Sequence, residues 1–316
     1  MASPSPYRVV RVEEHQRQAG AARLVGGQGR DPEVAGKRFL TSAHMHGIDL
    51  THFWGSVAGG VSAMGSGGRV VFRQVCLAVP GSGRTAMFFT SGPRDSAEQD
   101  ELGAVIASAA CDAGQSGVKL GQALLEPSER GAMEAFVAGG FQRLTTLVYL
   151  RRVLPSSEAG GARGWPEGIE VSRWASGDDA AVLRAMERSY EGTLDCPELC
   201  GMRETADVLA SHKAAGKFDP SCWWVIRLGG EAAGVMLFNP SPELDSVELV
   251  YLGLAPELRG KGLAKQLMEK GLDELRGRRE HWLTCAVDVR NGSAWSLYAR
   301  LGFSEFARRE AFVKPL

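Results

Sequence analysis

No single sign of charge dominates these 316 residues: 36 Lys and Arg stand against 37 Asp and Glu, a formal net charge of −1 at pH 7. A chain without a basic excess has no electrostatic footprint for nucleic acid, so no such partner is expected. Cysteine is scarce. The six, at 76, 111, 196, 200, 222 and 285, are scattered and make no Cys-x-x-Cys pair, which argues against a disulfide scaffold and leaves reduced thiols in a cytoplasm as the expectation. Nowhere do about 18 to 20 apolar residues run uninterrupted, so no membrane partner is expected either. The opening Met1 to Tyr7 lacks a basic start followed by an apolar stretch, and no secretory signal is read there. With 44% apolar and 23% charged residues the composition is that of an ordinary globular protein, not of a disordered chain, a collagen or a coiled coil. Glycine is the residue in excess. Forty of them point to tight turns or close backbone approaches.

The length predicts one large or two modest domains. Apolar periodicity breaks at Pro155 to Gly168 (PSSEAGGARGWPEG), a linker that divides the chain into 1–154 and 169–316. Near-equal halves invite a search for a repeat. At an offset of 162, Gly140-Phe141 falls on Gly302-Phe303 and Ala132 on Ala294. The helix-like run 100–113 then covers 262–275, and the strand-like run 118–125 lies near 281–289. The order strand, helix, strand, helix, strand recurs with matching lengths, which reads as an old duplication. In the second half, strands are expected at 169–174, 221–228, 231–238, 246–254 and 282–289, with a terminal hairpin or strand. Helices are expected at 178–190, 262–276 and 292–301. Gly229-Gly230 marks a hairpin. The fold class is α/β (α+β), a mixed sheet flanked by helices.

The informative stretch is LGLAPELRGKGLAKQL at 252–267: a buried-looking strand, a turn at Pro256, a glycine-rich loop and a helix start. Free amides at a helix N-terminus and roughly half a positive charge there suit an anion. Arg259, Lys261 and Lys265 add fixed charge. A Walker loop would need Gly-Lys-Ser/Thr, and no acidic residue trails as in a dinucleotide fold.

This segment resembles the GNAT superfamily of acyl-CoA-dependent N-acyltransferases, whose signature Arg/Gln-x-x-Gly-x-Gly/Ala is met by Arg259, Gly262 and Ala264. The same pattern also occurs at 17–22 and 227–232, in a helix-like run and a hairpin turn; only Arg259 lies between a strand and a long amphipathic helix. A second match is NGSAWSLYARLGF at 291–303, where Asn291, Tyr298, Gly302 and Phe303 fit the family's later motif. The resemblance covers 169–316. It implies acetyl-CoA as acyl donor, with Leu252, Gly253 and Leu254 lending backbone groups to the pantetheine arm. Arg259, Gly260, Lys261, Gly262, Leu263, Ala264 and Lys265 would hold the pyrophosphate, and Asn291 would touch the arm. Tyr298 would protonate the leaving thiolate. Glu248 matches the general-base position of one branch of the family, and the other base position is Ala286 here, which closes that route.

The chemistry decides when a base is needed. An ε-amine of pKa about 10.4 is neutral in roughly one molecule in 2,500 at pH 7, a handicap of about 4.6 kcal/mol, whereas an α-amine near 8 loses only about 1.4 kcal/mol. The resemblance thus implies two acyltransferase-like domains. In the first, 1–154, Glu129 and Phe136 stand where the second has Asn291 and Tyr298, and Ala97, Asp100 and Leu102 stand where it has Arg259, Gly262 and Ala264. That copy is expected to be degenerate. The second, 169–316, is expected to acetylate a small-molecule or peptide amine by direct attack in a ternary complex, as monomer or homodimer. A non-catalytic acyl-CoA sensor, or a tandem transferase like mycothiol synthase, are the alternatives. His44, His46 and His52 lack partners at ligand spacing, Cys196 and Cys200 lack histidines, and no metal is expected. Trp223-Trp224 read as core.

Overall fold

A strand belongs where its hydrogen-bond ladder and its apolar face are both satisfied, and in this chain that rule moves two strands out of the sequence halves that contain them. The computed structural model describes residues 6–28, 31–59, 70–154, 164–175 and 177–316. Two units result: Met1–Leu144 with Glu310–Leu316, and Thr145–Arg309. The division expected at the 155–168 linker is therefore not where the packing divides. Residues 155–163 of that linker lie outside the described residues.

The first unit contains β1 (Tyr7–Arg11), α1 (Arg17–Val25), α2 (Pro32–Met45), β2 (His52–Ala58), β3 (Val75–Gly81), β4 (Thr85–Thr90), α3 (Ser96–Gln115), β5 (Leu120–Leu125), α4 (Arg130–Ala138) and the first residues of β6 (Gln142–Val153). The second adds β7 (Ile169–Arg173), α5 (Asp179–Tyr190), α6 (Thr205–Ala214), β8 (Trp223–Leu228), β9 (Glu231–Ser241), β10 (Ser246–Leu254), α7 (Leu263–Glu274), β11 (Trp282–Asp288), α8 (Gly292–Arg300) and the first half of β12 (Ser304–Pro315). The expected terminal hairpin or strand is one long strand.

Each unit has six strands in the same order. In the first, β1 to β5 are neighbours in sequence order and the end of β12 closes the sheet, Glu310 opposite Leu125 through Pro315 opposite Leu120. In the second, β7 to β11 are neighbours and the end of β6 closes it, Trp282 opposite Val153 through Asp288 opposite Leu147. All pairs are antiparallel except β4 with β5 and β10 with β11. Adding 162 to the bounds of α4 and β6 gives those of α8 and β12. The offset fails at α3, however. That helix begins at Ser96, five residues earlier than the offset places the start of α7, so the counterpart of the Gly262 cap is Asp95 and not Asp100.

Two layers of helix position the second sheet. Leu263, Leu267, Met268 and Leu272 of α7 and Tyr298 of α8 pack on one face, with Val247, Leu249, Leu283 and Val287. Ala181, Val182, Ala185 and Met186 of α5 and Leu209 of α6 pack on the other, with Trp223 and Val225. Both members of the Trp223-Trp224 pair are fully buried, as core. Gly229 and Gly230 carry φ +56° and +85°, the two left-handed positions a type I′ hairpin demands. No helix among the described residues is long and apolar enough to cross a membrane.

Phe312 is 1% exposed, packed in the first unit's core with its ring 6.0 Å from that of Phe136. Phe312→Ala should cost about 3–5 kcal/mol in urea unfolding. A loss under about 1 kcal/mol would show that the terminal strand does not complete this core.

Candidate active site

The parallel ladder between β10 and β11 is short. It runs from Ser246–Trp282 to Glu248–Thr284 and, among the described residues, ends there. β10 stays with β9 as far as Leu254–Gly234, with a bulge between Leu249 and Tyr251. β11 stays with β6 as far as Asp288–Leu147. Beyond Glu248 the two strands part, and one edge of β10 from Leu249 to Leu254 loses its ladder partner. Main-chain N–H and C=O groups require partners, so this edge suits an extended, amide-bearing ligand laid along it.

After β10, one turn of 3-10 helix at Pro256–Leu258 leads through Gly260 and Gly262 into α7. Their φ values, +73° and +77°, lie in the left-handed region, which costs an L-residue roughly 1–2 kcal/mol. A Cβ on either would meet nothing within 4 Å, so conformation and not crowding calls for glycine, and the space above the loop is open. Gly262 caps α7 without a side-chain acceptor, and the first turn holds no acidic residue. The N–H groups of Leu263, Ala264 and Lys265 precede the first helical bond, from the Gln266 N–H to the Gly262 carbonyl at 3.2 Å. Orphan donors at an uncapped N-terminus are an anion site in waiting. Lys261 is exposed, and Lys265 lies 3.5 Å from Glu269.

Arg259 does something else. Its Nε donates to the Leu254 carbonyl at 2.9 Å, its Nη1 to those of Glu191 and Gly192 at 2.7 and 3.1 Å, and its Nη2 to that of Ser189 at 2.7 Å. The guanidinium expected on a pyrophosphate is consumed in tying the end of α5 to the end of β10, because a helix C-terminus leaves carbonyls that a cation satisfies. The Leu254 carbonyl, expected to face a ligand, is taken by the same clamp. Leu252 is half-buried; Gly253 is buried, and a Cβ there would lie 2.5 Å from the Tyr251 ring.

Glu248 sits at the parting itself, half-buried, with no hydrogen-bond or ion-pair partner among the described residues. Desolvation pushes its carboxyl above the ordinary range. Tyr298, 7% exposed, stacks its ring 5.4 Å from that of Phe303. Desolvation first, then the Cys285 thiol and the Asp195 carboxylate, raise its hydroxyl well above the usual tyrosine value, so it keeps its proton across the neutral range. Asn291 caps α8, its Oδ1 accepting from the Ala294 N–H at 3.1 Å.

A second network escaped the sequence reading. Asp288, fully buried at the end of β11, accepts from Thr145 Oγ1 at 2.7 Å, the Cys196 N–H at 3.1 Å and Arg290 Nη2 at 2.6 Å. Burial pushes this carboxyl up, but the bonds from Arg290, Thr145 and the Cys196 N–H outweigh it and hold the pKa at about 2. Arg290 also grips both oxygens of Glu198, at 2.6 and 2.9 Å. The Asp288 N–H donates to Asp195 at 2.9 Å, a contact across 93 residues. The loop through 195–198, with Cys196 at φ +45°, is thus pinned to β11 beside the parting. Nothing in one sequence links aspartates so far apart.

In the first unit the β4–β5 ladder is equally short, Thr85–Leu120 to Met87–Gln122, but the following helix end is occupied. Asp95 accepts from the Glu98 N–H at 2.9 Å, and the Glu98 carboxylate accepts from the Arg94 N–H at 2.8 Å and from Gln74 Nε2 at 3.0 Å. Phe136, fully buried, replaces the tyrosine. His52 is buried against Asp112, Nδ1 to Oδ2 at 2.7 Å. No group of three or more metal-ligating side chains occurs among the described residues.

Residues 186–303 match the model of the "Acetyltransferase (GNAT) family". The chain is 29% identical over 183 residues to a mycothiol acetyltransferase of Geodermatophilus obscurus, covering 56% of this chain and 58% of that protein. The mycothiol acetyltransferase of Streptomyces coelicolor is 32% identical over 165 residues, 52% of each chain. The matched stretches thus span little more than half the length of these relatives. Among solved structures, a GCN5-related N-acetyltransferase from Sphaerobacter thermophilus superposes with TM-score 0.60 at 17% identity, over 99% of this chain and 97% of that one. A tandem GNAT protein from the clavulanic acid biosynthesis pathway gives TM-score 0.51 at 16% identity, over 98% of each. At these identities the likeness is one of fold.

Asp288 makes stability depend on acid. Its folded pKa is depressed, so its contribution, roughly 2 kcal/mol, is present above the unfolded value near 4 and is lost as the pH falls towards 2. Asp288→Asn should lower unfolding free energy by about that amount at pH 7, the gap to wild type closing by pH 2; a gap independent of pH would contradict it.

Proposed function

We propose that the chain, whose residues 186–303 match the acetyltransferase (GNAT) family model, is an acetyl-CoA-dependent N-acetyltransferase acting on a small-molecule or peptide amine in the cytoplasm. The observation that carries this reading is the conjunction at one place of an unzipped β10 edge and an uncapped, glycine-entered helix start. The edge offers hydrogen bonds to an amide-bearing arm; the helix start offers N–H donors to a diphosphate. Acetyl-CoA supplies the acyl group as an activated thioester. In this reading Leu252 and Gly253 align the arm, the Gly260 to Lys265 loop holds the phosphates through backbone N–H groups, and Arg259 keeps that loop and α5 in register.

Glu248 takes the proton of the acceptor's ammonium, directly or through water. The neutral nitrogen then forms the new C–N bond as the C–S bond breaks; Tyr298 gives its proton to the departing sulfur, and the proton that the nitrogen sheds on becoming an amide passes through water to restore the tyrosine. A positioned base contributes about 10² to 10⁴ in rate, the same order as the handicap of an ε-amine. The first unit, with its helix start filled by its own carboxylates, serves as scaffold and binds no carrier. The likeness to mycothiol acetyltransferases favours, as a second reading, a mycothiol-type acceptor.

Calorimetry on the full chain should find one acetyl-CoA per chain, and Gly262→Ala should weaken binding at least about tenfold, through the strained cap. Two sites per chain would overturn the scaffold role of the first unit, and none would overturn the whole reading. A panel of alkylamines, amino sugars and peptides with a free-thiol readout tests turnover. Glu248→Gln should cut turnover about 10²-fold or more with acetyl-CoA affinity unchanged. Because desolvation raises the Glu248 pKa, wild-type kcat/KM should fall as the pH drops through a value above the usual carboxylate range, and the variant should lose that limb. Tyr298→Phe should also slow transfer; wild-type rates in either variant would remove that residue from the mechanism.

A further inference from the structure

The short parallel ladder pairs Glu248 of β10 with Thr284 of β11, and the antiparallel ladder beside it pairs Thr284 with Arg151 of β6. Partners in register turn their side chains to the same face of a sheet, so the three form one row. Two strand spacings, about 10 Å, separate the Cα atoms of its charged ends. The first unit has the same row in Met87, Gln122 and Val313. There both charges are replaced by apolar side chains, and Val313 is buried. In the second unit, among the described residues, neither Glu248 nor Arg151 is in an ion pair, with the other or with a third group.

Arg151 is held in a way that leaves its donors free. Its guanidinium carbon lies 4.3 Å from the centroid of the Trp282 ring, on β11, and 5.2 Å from that of Phe306, on β12. Tyr149, two residues back on β6, meets Phe306 edge-on at 6.2 Å. A guanidinium seated on aromatic faces is fixed in place without spending its five N–H donors, which lie in its plane. Among the described residues no acceptor takes them, and Arg151 is exposed. Arg259 and Arg290, by contrast, are consumed by carbonyls and carboxylates of the protein. A positioned guanidinium with an empty donor edge matches an oxyanion, which it can grip through two parallel bonds. We propose that Arg151 recognises an acidic group on the acceptor, so that the substrate is an amine bearing a carboxylate or phosphate several bonds away from its nitrogen. This rests on the transfer reaction proposed above: with the nitrogen at Glu248, the acidic group lies along the row at Arg151.

The test assays the full chain with acetyl-CoA by thiol release, on acceptor pairs matched in length: 6-aminohexanoate and 8-aminooctanoate against their primary amides, and 6-aminohexyl phosphate against 6-aminohexanol. Wild type should show a kcat/KM at least about tenfold higher for the acidic member. A preference confined to the phosphate pair identifies a phosphorylated amine, and one in the carboxylate pairs identifies an amino acid or peptide acid. Arg151→Gln should bring every ratio below about threefold. Phe306→Ala, which keeps the cation but removes one ring, should lower the ratio at least about twofold. Acetyl-CoA affinity and unfolding midpoint should be unchanged in both. Acidic and uncharged members used alike by wild type, or the wild-type ratio kept in either variant, would overturn the proposal and leave the transfer reaction standing. Should no amine in the panel be acetylated, ligand-observed NMR with CoA present decides. Acids bound over amides by wild type but not by R151Q would uphold this recognition without the transfer, and equal binding would overturn it.

Discussion

The site depends on one interruption: the parallel pairing of β10 and β11 stops after Glu248–Thr284. A sheet that continued would spend every backbone group of β10 on its neighbours and leave none for a ligand. The interruption is sustained from both sides. β11 has an alternative partner in β6, and β10 keeps β9, so neither strand loses its ladder by separating. What remains is a wedge whose vertex carries Glu248, and whose far end is set by the Arg259 clamp on one strand and the Asp288 network on the other.

Charge within that wedge is divided by purpose. Arg259, which the sequence assigns to a ligand, holds the protein to itself, while the loop after it offers backbone N–H groups and the parting offers the Glu248 carboxylate. A guanidinium already bonded to four carbonyls is a rigid strut. Backbone donors at a helix start hold an anion without a flexible side chain to order, which lowers the entropic cost of binding. The first unit shows the alternative use of the same architecture, with Asp95 and Glu98 seated where an external anion would go.

Local chemistry was readable in the sequence. β10 has the bounds its alternation indicates, Gly229-Gly230 makes the hairpin, and Asn291 and Gly262 cap the helices that follow them. What was not readable is whatever depends on where a side chain turns or which strand pairs with which. Arg259 fits a ligand motif by spacing, but spacing is silent about carbonyls left over at the end of α5. Asp195 and Asp288 meet only because a loop and a strand end are folded together. The duplication was visible as an offset, yet the offset drifts at α3, where the first copy has a longer helix.

The crossing of β6 and β12 between the units bears on how such a chain can be made. The ribosome releases residues 1–144 long before 310–316, and a domain emerging first ordinarily folds first. Here the leading unit must wait with an unzipped border at β5, its core short of Phe312, until residues 310–315 have been synthesised. A chain cut short before residue 310 would leave the leading unit one strand short, while the second unit, Thr145–Arg309 closed by the end of β6, would have all of its own.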